Sequence, residues 1–515
     1  MKRPLFEIQH CRDRVRSEAL SGLVLAVVAL GLTSCDDATA PGGASHLDFA
    51  VQPVSTDVGS SLALGLNGVA VVIQDDEGHT VPEWTEPVTL SLASGPAGAL
   101  TGTTTAEPVA GTAIFHDLRV TEPGSAYQLV ARSGGLEGAA SQPFDVHALF
   151  TSASVTSGDD HTCALTDGGT AYCWGANAYG QLGDGTGTDR SMPVAVQTDR
   201  TFTTLSAGAL HTCGLTETGE ALCWGYNGYG QVGAETTETC IHLTKGDSRD
   251  CSTLPVEVDG GNGLHQLAAG SYHTCGLSSD GEMACWGSNV YGQLGVGEEV
   301  EQSLAPMAIS GGRRFLAIDA GYLHSCGLQD DGRLYCWGSN IYGEVGDDSQ
   351  GTRRFHPVSV LGERRFGSLS AGGTVCHGRT CAITAGGVTY CWGRSYNDLV
   401  RGGRLVGTPS PLKNDPGFET VVVGGYMVCG LTAEGVLYCW GEGRYGRLGT
   451  GSSENVHDPA VVFPEKRFVS VSSGSDHTCA VTVGSVTYCW GSNEWGQLGR
   501  ESPGTGWTVP VPVWR

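Results

Sequence analysis

His161-Thr162-Cys163-Ala164-Leu165-Thr166-Asp167-Gly168-Gly169-Thr170-Ala171-Tyr172-Cys173-Trp174-Gly175 is the stretch that decides the fold. Its cysteines stand ten residues apart, and their midpoint is Gly168 in a short polar turn. A three-residue hairpin loop, Asp167-Gly168-Gly169, wants a left-handed residue in third place, which is a glycine's role. Gly219, Gly281, Gly332, Gly387 and Gly435 fill the same slot in later copies, and Ser485 departs from it. Counting outward from the loop, Thr166 and Thr170 form a hydrogen-bonded pair. Cys163 then faces Cys173 at a non-hydrogen-bonded pair, with Cα atoms about 4.5 Å apart, close to the lower limit for a disulfide.

The stretch recurs to the end of the chain. Seven copies begin at His161, His211, His273, His324, Arg379, Met427 and His477, and each runs on to Cys-Trp-Gly at Trp174, Trp224, Trp286, Trp337, Trp392, Trp440 and Trp490. Most continue as Asn-x-x-Gly-Gln-Leu-Gly, as at Asn177 to Gly183, and then into a Pro-Val strand, as at Pro193-Val194. A fixed period of this length marks a repeat architecture, and the spacing suits four short strands per unit. Repeat five replaces the Asn-x-x-Gly motif with Arg394-Ser395-Tyr396-Asn397-Asp398-Leu399, and repeat six has Met427 in place of His.

These motifs resemble the regulator of chromosome condensation repeat family. The resemblance spans residues 150–515 and implies a seven-bladed β-propeller of four-stranded blades. As an extracellular bacterial propeller, the chain also resembles the propeller-type beta-lactamase inhibitory proteins. The resemblance to the regulator of chromosome condensation repeat family implies repeats staggered relative to blades, so the terminal strand Val509 to Val513 is expected to complete a blade begun near Ser152 to Val155.

Upstream the chain is different. Arg12, Arg14 and Arg16 precede an apolar run from Ala19 to Leu32, too short for a comfortable membrane span, which ends in Leu32-Thr33-Ser34-Cys35. This resembles the lipobox of bacterial lipoproteins. It implies a signal peptide over residues 1–34, lipid on Cys35 as the only membrane attachment, a tether over 35–45, and an exported protein of the bacterial cell envelope. Residues 46–147 hold short alternating runs: Leu47 to Val51, Val69 to Ile73, Val88 to Leu92, Thr112 to Phe115, Tyr127 to Ala131 and Phe144 to Val146. About seven such strands in about 100 residues read as a two-sheet sandwich, and the segment resembles bacterial Ig-like domains. The expected class is all-β: an Ig-like sandwich followed by a seven-bladed propeller.

Of 19 cysteines, 17 follow residue 160, and in an exported chain they read as disulfides. The expected pairs are Cys163–Cys173, Cys213–Cys223, Cys275–Cys285, Cys326–Cys336, Cys381–Cys391, Cys429–Cys439 and Cys479–Cys489. Each closes a short loop and contributes about 2–3 kcal/mol. Cys240 and Cys251, in an insertion over 234–254, form an eighth pair that stiffens a protruding loop. Cys376 is left over, either free or a competitor for Cys391. Zinc would need the His as a ligand, and repeats five and six keep both cysteines without it. The repeated His is therefore read as a hydrogen-bonding residue between blades, and each Trp as packing against the neighbouring blade.

The net charge is -25, and the first 34 residues hold five basic and three acidic residues, so the body is more acidic still. With no basic stripe it is a poor match to nucleic acid. Gly183 to Gly187 is a turn and not a phosphate loop leading into a helix, and Asp184 to Asp189 lacks the acidic ladder of a calcium loop. No nucleophile–base constellation is present, so neither an enzyme nor a cofactor or metal is expected. The reading is a non-enzymatic envelope protein whose propeller loops hold a protein partner. A glycan-binding module is the alternative, on the strength of Tyr179, Tyr229, Tyr291, Tyr342, Tyr445 and Trp495. Guanine-nucleotide exchange, which eukaryotic members perform, stands third, because an exported lipoprotein meets no nuclear GTPase.

The lipobox makes a direct prediction: mass spectrometry of the mature protein finds lipidated Cys35 at its N-terminus. A Cys35→Ala protein that stays membrane-bound would contradict it.

Overall fold

The computed structural model describes residues 43–63, 68–93, 98–241, 248–374, 376–394, 405–500 and 503–515. The signal segment, Cys35, most of the tether and residues 395–400 of repeat five lie outside the described residues. Two compact units result, one built on the described residues up to Leu149 together with Trp514 and Arg515, the other on Phe150–Val513.

The first unit is all-β. One sheet pairs His46–Val51, Val69–Gln74 and Thr112–Phe115; a second joins Ala139–Ala140, Leu129–Arg132, Val88–Leu92 and Thr105–Ala106; a third holds Thr56–Asp57, Phe144–His147 and Gly124–Tyr127. Alternation decides which side chains enter its core: Val88 and Leu90 are buried while Thr89 and Ser91 face water. The expected single strand from Tyr127 to Ala131 is two strands. Tyr127 pairs with Phe144 in one sheet and Leu129 with Leu92 in another, and the chain changes sheets at Gln128 between them.

The second unit is a ring of seven blades. The first comprises Ser154–Ser157, His161–Leu165, Ala171–Gly175 and Arg190–Ala195, paired antiparallel in that order. The first strands of successive blades touch in sequence, and Ser154–Ser157 touches Phe468–Ser473 of the last blade, so the ring is closed. The hairpin turns have the conformation their sequence demands: Gly169 sits at φ 76°, Gly435 at 76°, and even Ser485 adopts 61°. Cys163 lies opposite Cys173 in the ladder, and the pair is bonded with Cα atoms 4.1 Å apart. The other six repeats carry the same bond at the same Cα spacing. Cys381 holds Cys391, so Cys376 does not compete for it, and Cys376 is not a free thiol.

Blades adhere through one repeated arrangement. Each Trp is buried in the core of the preceding blade: Trp224 packs with Leu165, Leu182 and Phe202, and Trp174 with Leu498 and Val513 across the closure. The last glycine of Asn-x-x-Gly-Gln-Leu-Gly makes room for it. A Cβ on Gly233 would stand 2.7 Å from the Trp286 indole nitrogen. Beside each indole lies a three-way hydrogen bond. The Gln181 carbonyl accepts from Trp224 Nε1 at 2.9 Å and from the Thr212 hydroxyl at 2.9 Å. That hydroxyl has given its only proton away, so at 2.8 Å it accepts from His161 Nε2. The same set joins blades two to three, three to four and four to five. Between the last and first blades it links His477, Thr162, Trp174 and the Gln497 carbonyl.

The terminal strand does not complete the blade begun near Ser152. Gly504–Pro512 is the outer strand of the sheet that starts at Phe468, with Pro512 opposite Tyr488. Each blade is therefore one contiguous repeat. Closure instead uses the segment ahead of the first blade: Phe150 N–H donates to Val513 at 2.9 Å and Ser152 N–H to Ser485 at 2.8 Å. Phe202 makes the equivalent bond to Gly169, so residue 152 does for the last blade what the interblade linker does elsewhere.

Burial holds His161, His211, His273 and His477 down at about 3, and His324 at about 4. A neutral ring in this tautomer has Nδ1 bare, and a Cβ on Gly158 would lie 2.5 Å from it, so there is no room for a water to solvate a second proton. The unfolded chain protonates these rings near 6.5 and the folded chain does not. Their contribution is whole above that pH and declines as pH falls, by about 1.4 kcal/mol per pH unit per ring. Asp159 and Asp319, raised to about 8 and about 6 by burial, run the other way but are fewer. Thermal unfolding across pH is expected to show a maximum near neutrality and a steep loss from pH 6 to 4. A midpoint flat over that range would refute neutral buried histidines.

Candidate functional site: the loop face

Neighbouring strands run antiparallel, so the loop joining strands one and two of a blade and the loop joining strands three and four leave by the same end. That end is the face on which the ring's chemistry gathers. The loop between strands three and four holds itself in shape. Asn177 Oδ1 accepts from Leu182 N–H at 3.0 Å, its amide donates to Asp184 Oδ1 at 3.0 Å, and Asp184 pairs with Arg190 at 2.8 Å. Asp184 is thus occupied as a turn organiser. Gln181 Oε1 accepts from Tyr179 N–H at 2.9 Å. Gln231, Gln293 and Gln497 do the same for Tyr229, Tyr291 and Trp495, and Glu344 for Tyr342. One residue therefore serves two purposes: its carbonyl latches the next blade, and its side chain fixes the backbone of an aromatic residue on the face.

These aromatic residues do not stand alone. Tyr179 and Tyr226 meet edge to face with ring centres 4.9 Å apart; Tyr226 and Tyr229 are 6.2 Å apart, Tyr229 and Tyr272 5.4 Å, and Tyr272 and Tyr322 6.2 Å. Five tyrosines from blades one to four form a continuous ladder leading to the central shaft. Beyond it the face changes character. Arg353 lies over Tyr291 at 4.8 Å, Arg394 over Tyr342 at 5.2 Å, and Arg447 over Tyr426 at 4.7 Å. Tyr445 and Trp495 are each 40% exposed and Trp507 is 43% exposed.

The arginine side is also where the latch fails. Repeat six has Val428 where the other repeats have Thr or Ser, and Met427 where most have His. Arg379 instead donates from Nε and Nη2 to the Arg394 carbonyl, and of the latch the next seam keeps, among the described residues, Thr478 to the Arg447 carbonyl at 3.2 Å, with the Trp490 indole N–H left out of it. The shaft itself is lined by small residues of the innermost strands and their loops, with Asp159, Asp319 and Tyr322 among them.

Of the residues singled out from sequence, Tyr179 and Tyr229 join the ladder. Tyr291, Tyr342, Tyr445 and Trp495 fall on the arginine side or the rim. Tyr226, Tyr272 and Tyr322 were not anticipated, because only one of them, Tyr272, directly precedes a repeated His and none belongs to the repeated pattern. For Tyr272 alone there is a signal: the position before the repeated His (Asp160, Leu210, Tyr272, Leu323, Asp476) varies from repeat to repeat. Cys240 and Cys251 are bonded with Cα atoms 5.9 Å apart, and they staple a fifth strand, Glu238–Ile241, onto the edge of Ser248–Glu257 in blade two.

A family model described as RCC1-like domain matches residues 119–404, and the regulator of chromosome condensation (RCC1) repeat matches residues 434–481. The chain belongs to the RCC1-like domain family. It is 31% identical over 318 residues to the ultraviolet-B receptor UVR8 of Arabidopsis thaliana, covering 60% of this chain and 69% of that one. It is 41% identical over 195 residues to the probable E3 ubiquitin-protein ligase HERC4 of Rattus norvegicus, 38% of this chain but only 18% of the ligase. The fold is shared with human WBSCR16 (TM-score 0.58, 20% identity, 67% of this chain and 95% of that one). It is shared also with Prp20p of Saccharomyces cerevisiae (TM-score 0.54, 24% identity, 64% and 82%), a protein described with its binding to Gsp1p and histones. The RCC1-like family membership read from the repeats is thus established.

Within this RCC1-like ring, Gln231→Met keeps the carbonyl latch and removes the Tyr229 tether. Hydrogen exchange of the Tyr229 amide is expected to accelerate while global stability falls by only about 1 kcal/mol. Unchanged exchange would show that the glutamine does not position the tyrosine.

Proposed function

We propose that the protein is a binding module that grips a protein partner with its loop face. The observation that carries this is the tyrosine ladder. Tyrosines offer large, rigid, amphipathic contact area at low entropy cost, and here they sit on a disulfide-laced ring. The relatives fit the reading as far as their names go: a photoreceptor, a ubiquitin ligase, and a yeast protein described as binding Gsp1p and histones. Eight described disulfides belong in an oxidising compartment. With the Leu32 to Cys35 lipobox they support an exported, lipid-anchored protein of the cell envelope. The all-β unit of residues 46–147, read as Ig-like, then lies between the anchor and the ring in the chain.

The exposed rings of Tyr445, Trp495 and Trp507 favour a second reading, since flat exposed aromatics also stack on sugars. Crosslinking of the mature protein in intact cells separates the two. Expected is one stoichiometric partner, lost from the Tyr179→Ser, Tyr229→Ser double variant and kept by Val483→Ser at an exposed valine outside the ladder. Retention by the double variant would overturn the ladder's role. Glycan-array binding abolished by Trp495→Ala would favour the sugar reading instead.

A further inference from the structure

The ladder ends at the mouth of the shaft, and what it meets there is a carboxylate. Asp159, from the loop between the first two strands of blade one, lines the shaft together with Tyr322 of blade four, and Tyr322 is backed by Tyr272. Among the described residues no hydrogen bond or ion pair reaches the Asp159 carboxylate. Asp319, deeper in the same shaft, contrasts with it: its two oxygens accept Ala320 N–H at 2.9 Å and Ala371 N–H at 2.8 Å. Asp160 and Asp476 are near enough to act on Asp159, and Asp476 is itself neutralised by Arg447 at 2.9 Å. Asp159 is thus a carboxyl group at the mouth of the shaft with no partner among the described residues, beside the aromatic ring of Tyr322 and close to two further acidic side chains. A guanidinium or ammonium group suits both, through a charge-assisted hydrogen bond to the carboxylate and through contact with the Tyr322 ring.

We propose that the shaft mouth where Asp159 and Tyr322 stand, with Tyr272 behind Tyr322, receives a single cationic side chain, an arginine or lysine, presented by the partner. The assignment rests on the loop face being the binding surface, and it adds the chemistry of the central contact. Burial and the charges of Asp160 and Asp476 push the Asp159 carboxyl up to about 8. The empty site therefore holds a proton at neutral pH, and an entering cation expels it to solvent. The other titratable groups lining the shaft are Tyr322, whose hydroxyl burial pushes well above its ordinary value, and Asp319, raised to about 6, while Arg447 pairs with Asp476.

Calorimetry on the full mature chain tests this with three probes: a capped tripeptide with arginine at its centre, the same peptide with neutral citrulline, and spermidine. The arginine peptide is expected to bind, and citrulline to bind at least about tenfold more weakly. Its affinity is expected to rise more than about tenfold from pH 6 to pH 8.5, with proton release. Asp159→Asn mimics the protonated acid, so the fold is expected to survive and binding to be lost; Tyr322→Leu gives a second, uncharged route to the same loss. Equal binding of citrulline, or of wild type and both variants, overturns the proposal. Spermidine binding that displaces the peptide and exceeds it overturns the assignment to a partner's side chain. If crosslinking finds a partner that depends on Tyr179 and Tyr229 while the arginine peptide does not bind, the loop-face reading stands and the cation site falls.

Discussion

One hydroxyl shared by two blades underlies the ring. Thr212 belongs to blade two, yet it gives its proton to a carbonyl of blade one and takes one from a histidine of blade one. A buried hydroxyl so saturated costs nothing to keep dry, whereas an unsatisfied one would cost about 1–3 kcal/mol. Because the same carbonyl also receives the indole of blade two, a single main-chain oxygen sets the distance between blades. Repeated between the last and first blades, the arrangement holds the two ends of the ring together.

The face inherits its order from this seam. The glutamine whose carbonyl anchors the latch also fixes an aromatic residue's backbone, so interblade geometry and the placement of Tyr179, Tyr229 and Trp495 are two outcomes of one loop. The disulfides act at a different level. They tie strands two and three within each blade and leave the seams to hydrogen bonds and packed indoles. Where Val428 and Met427 interrupt the pattern, arginines enter: Arg379 caps a carbonyl, and buried Arg447 sits between Asp476 and Tyr426. The face is consequently two-sided, tyrosine and carboxylate on one arc, arginine and aromatic on the other.

Local features were legible in the sequence because their physics is local. The ten-residue cysteine spacing and the glycine in the αL slot fix a hairpin by themselves, and Ser485 pays for its exception with φ at 61°. The His was legible as an interblade residue by elimination, since a metal ligand would not be dispensed with twice. Its partner was not, because nothing near His161 points to a threonine 51 residues on. Chain closure was misread for a related reason. The Pro-Val ending of Val509 to Val513 copies the fourth strand of other repeats, and that copy says it is a fourth strand of its own repeat. The ladder was half legible: Tyr179 and Tyr229 repeat, while Tyr226, Tyr272 and Tyr322 come from positions that vary and meet only once the blades are in place.

Nitrogen-15 NMR of the histidine rings tests the shared hydroxyl most directly. His161, His211, His273, His324 and His477 are predicted to resonate as the neutral tautomer with the proton on Nε2, and to stay so from pH 8 down to about 5. Five rings titrating near 6.5, or carrying the proton on Nδ1, would contradict the latch and with it the account of how the ring is held.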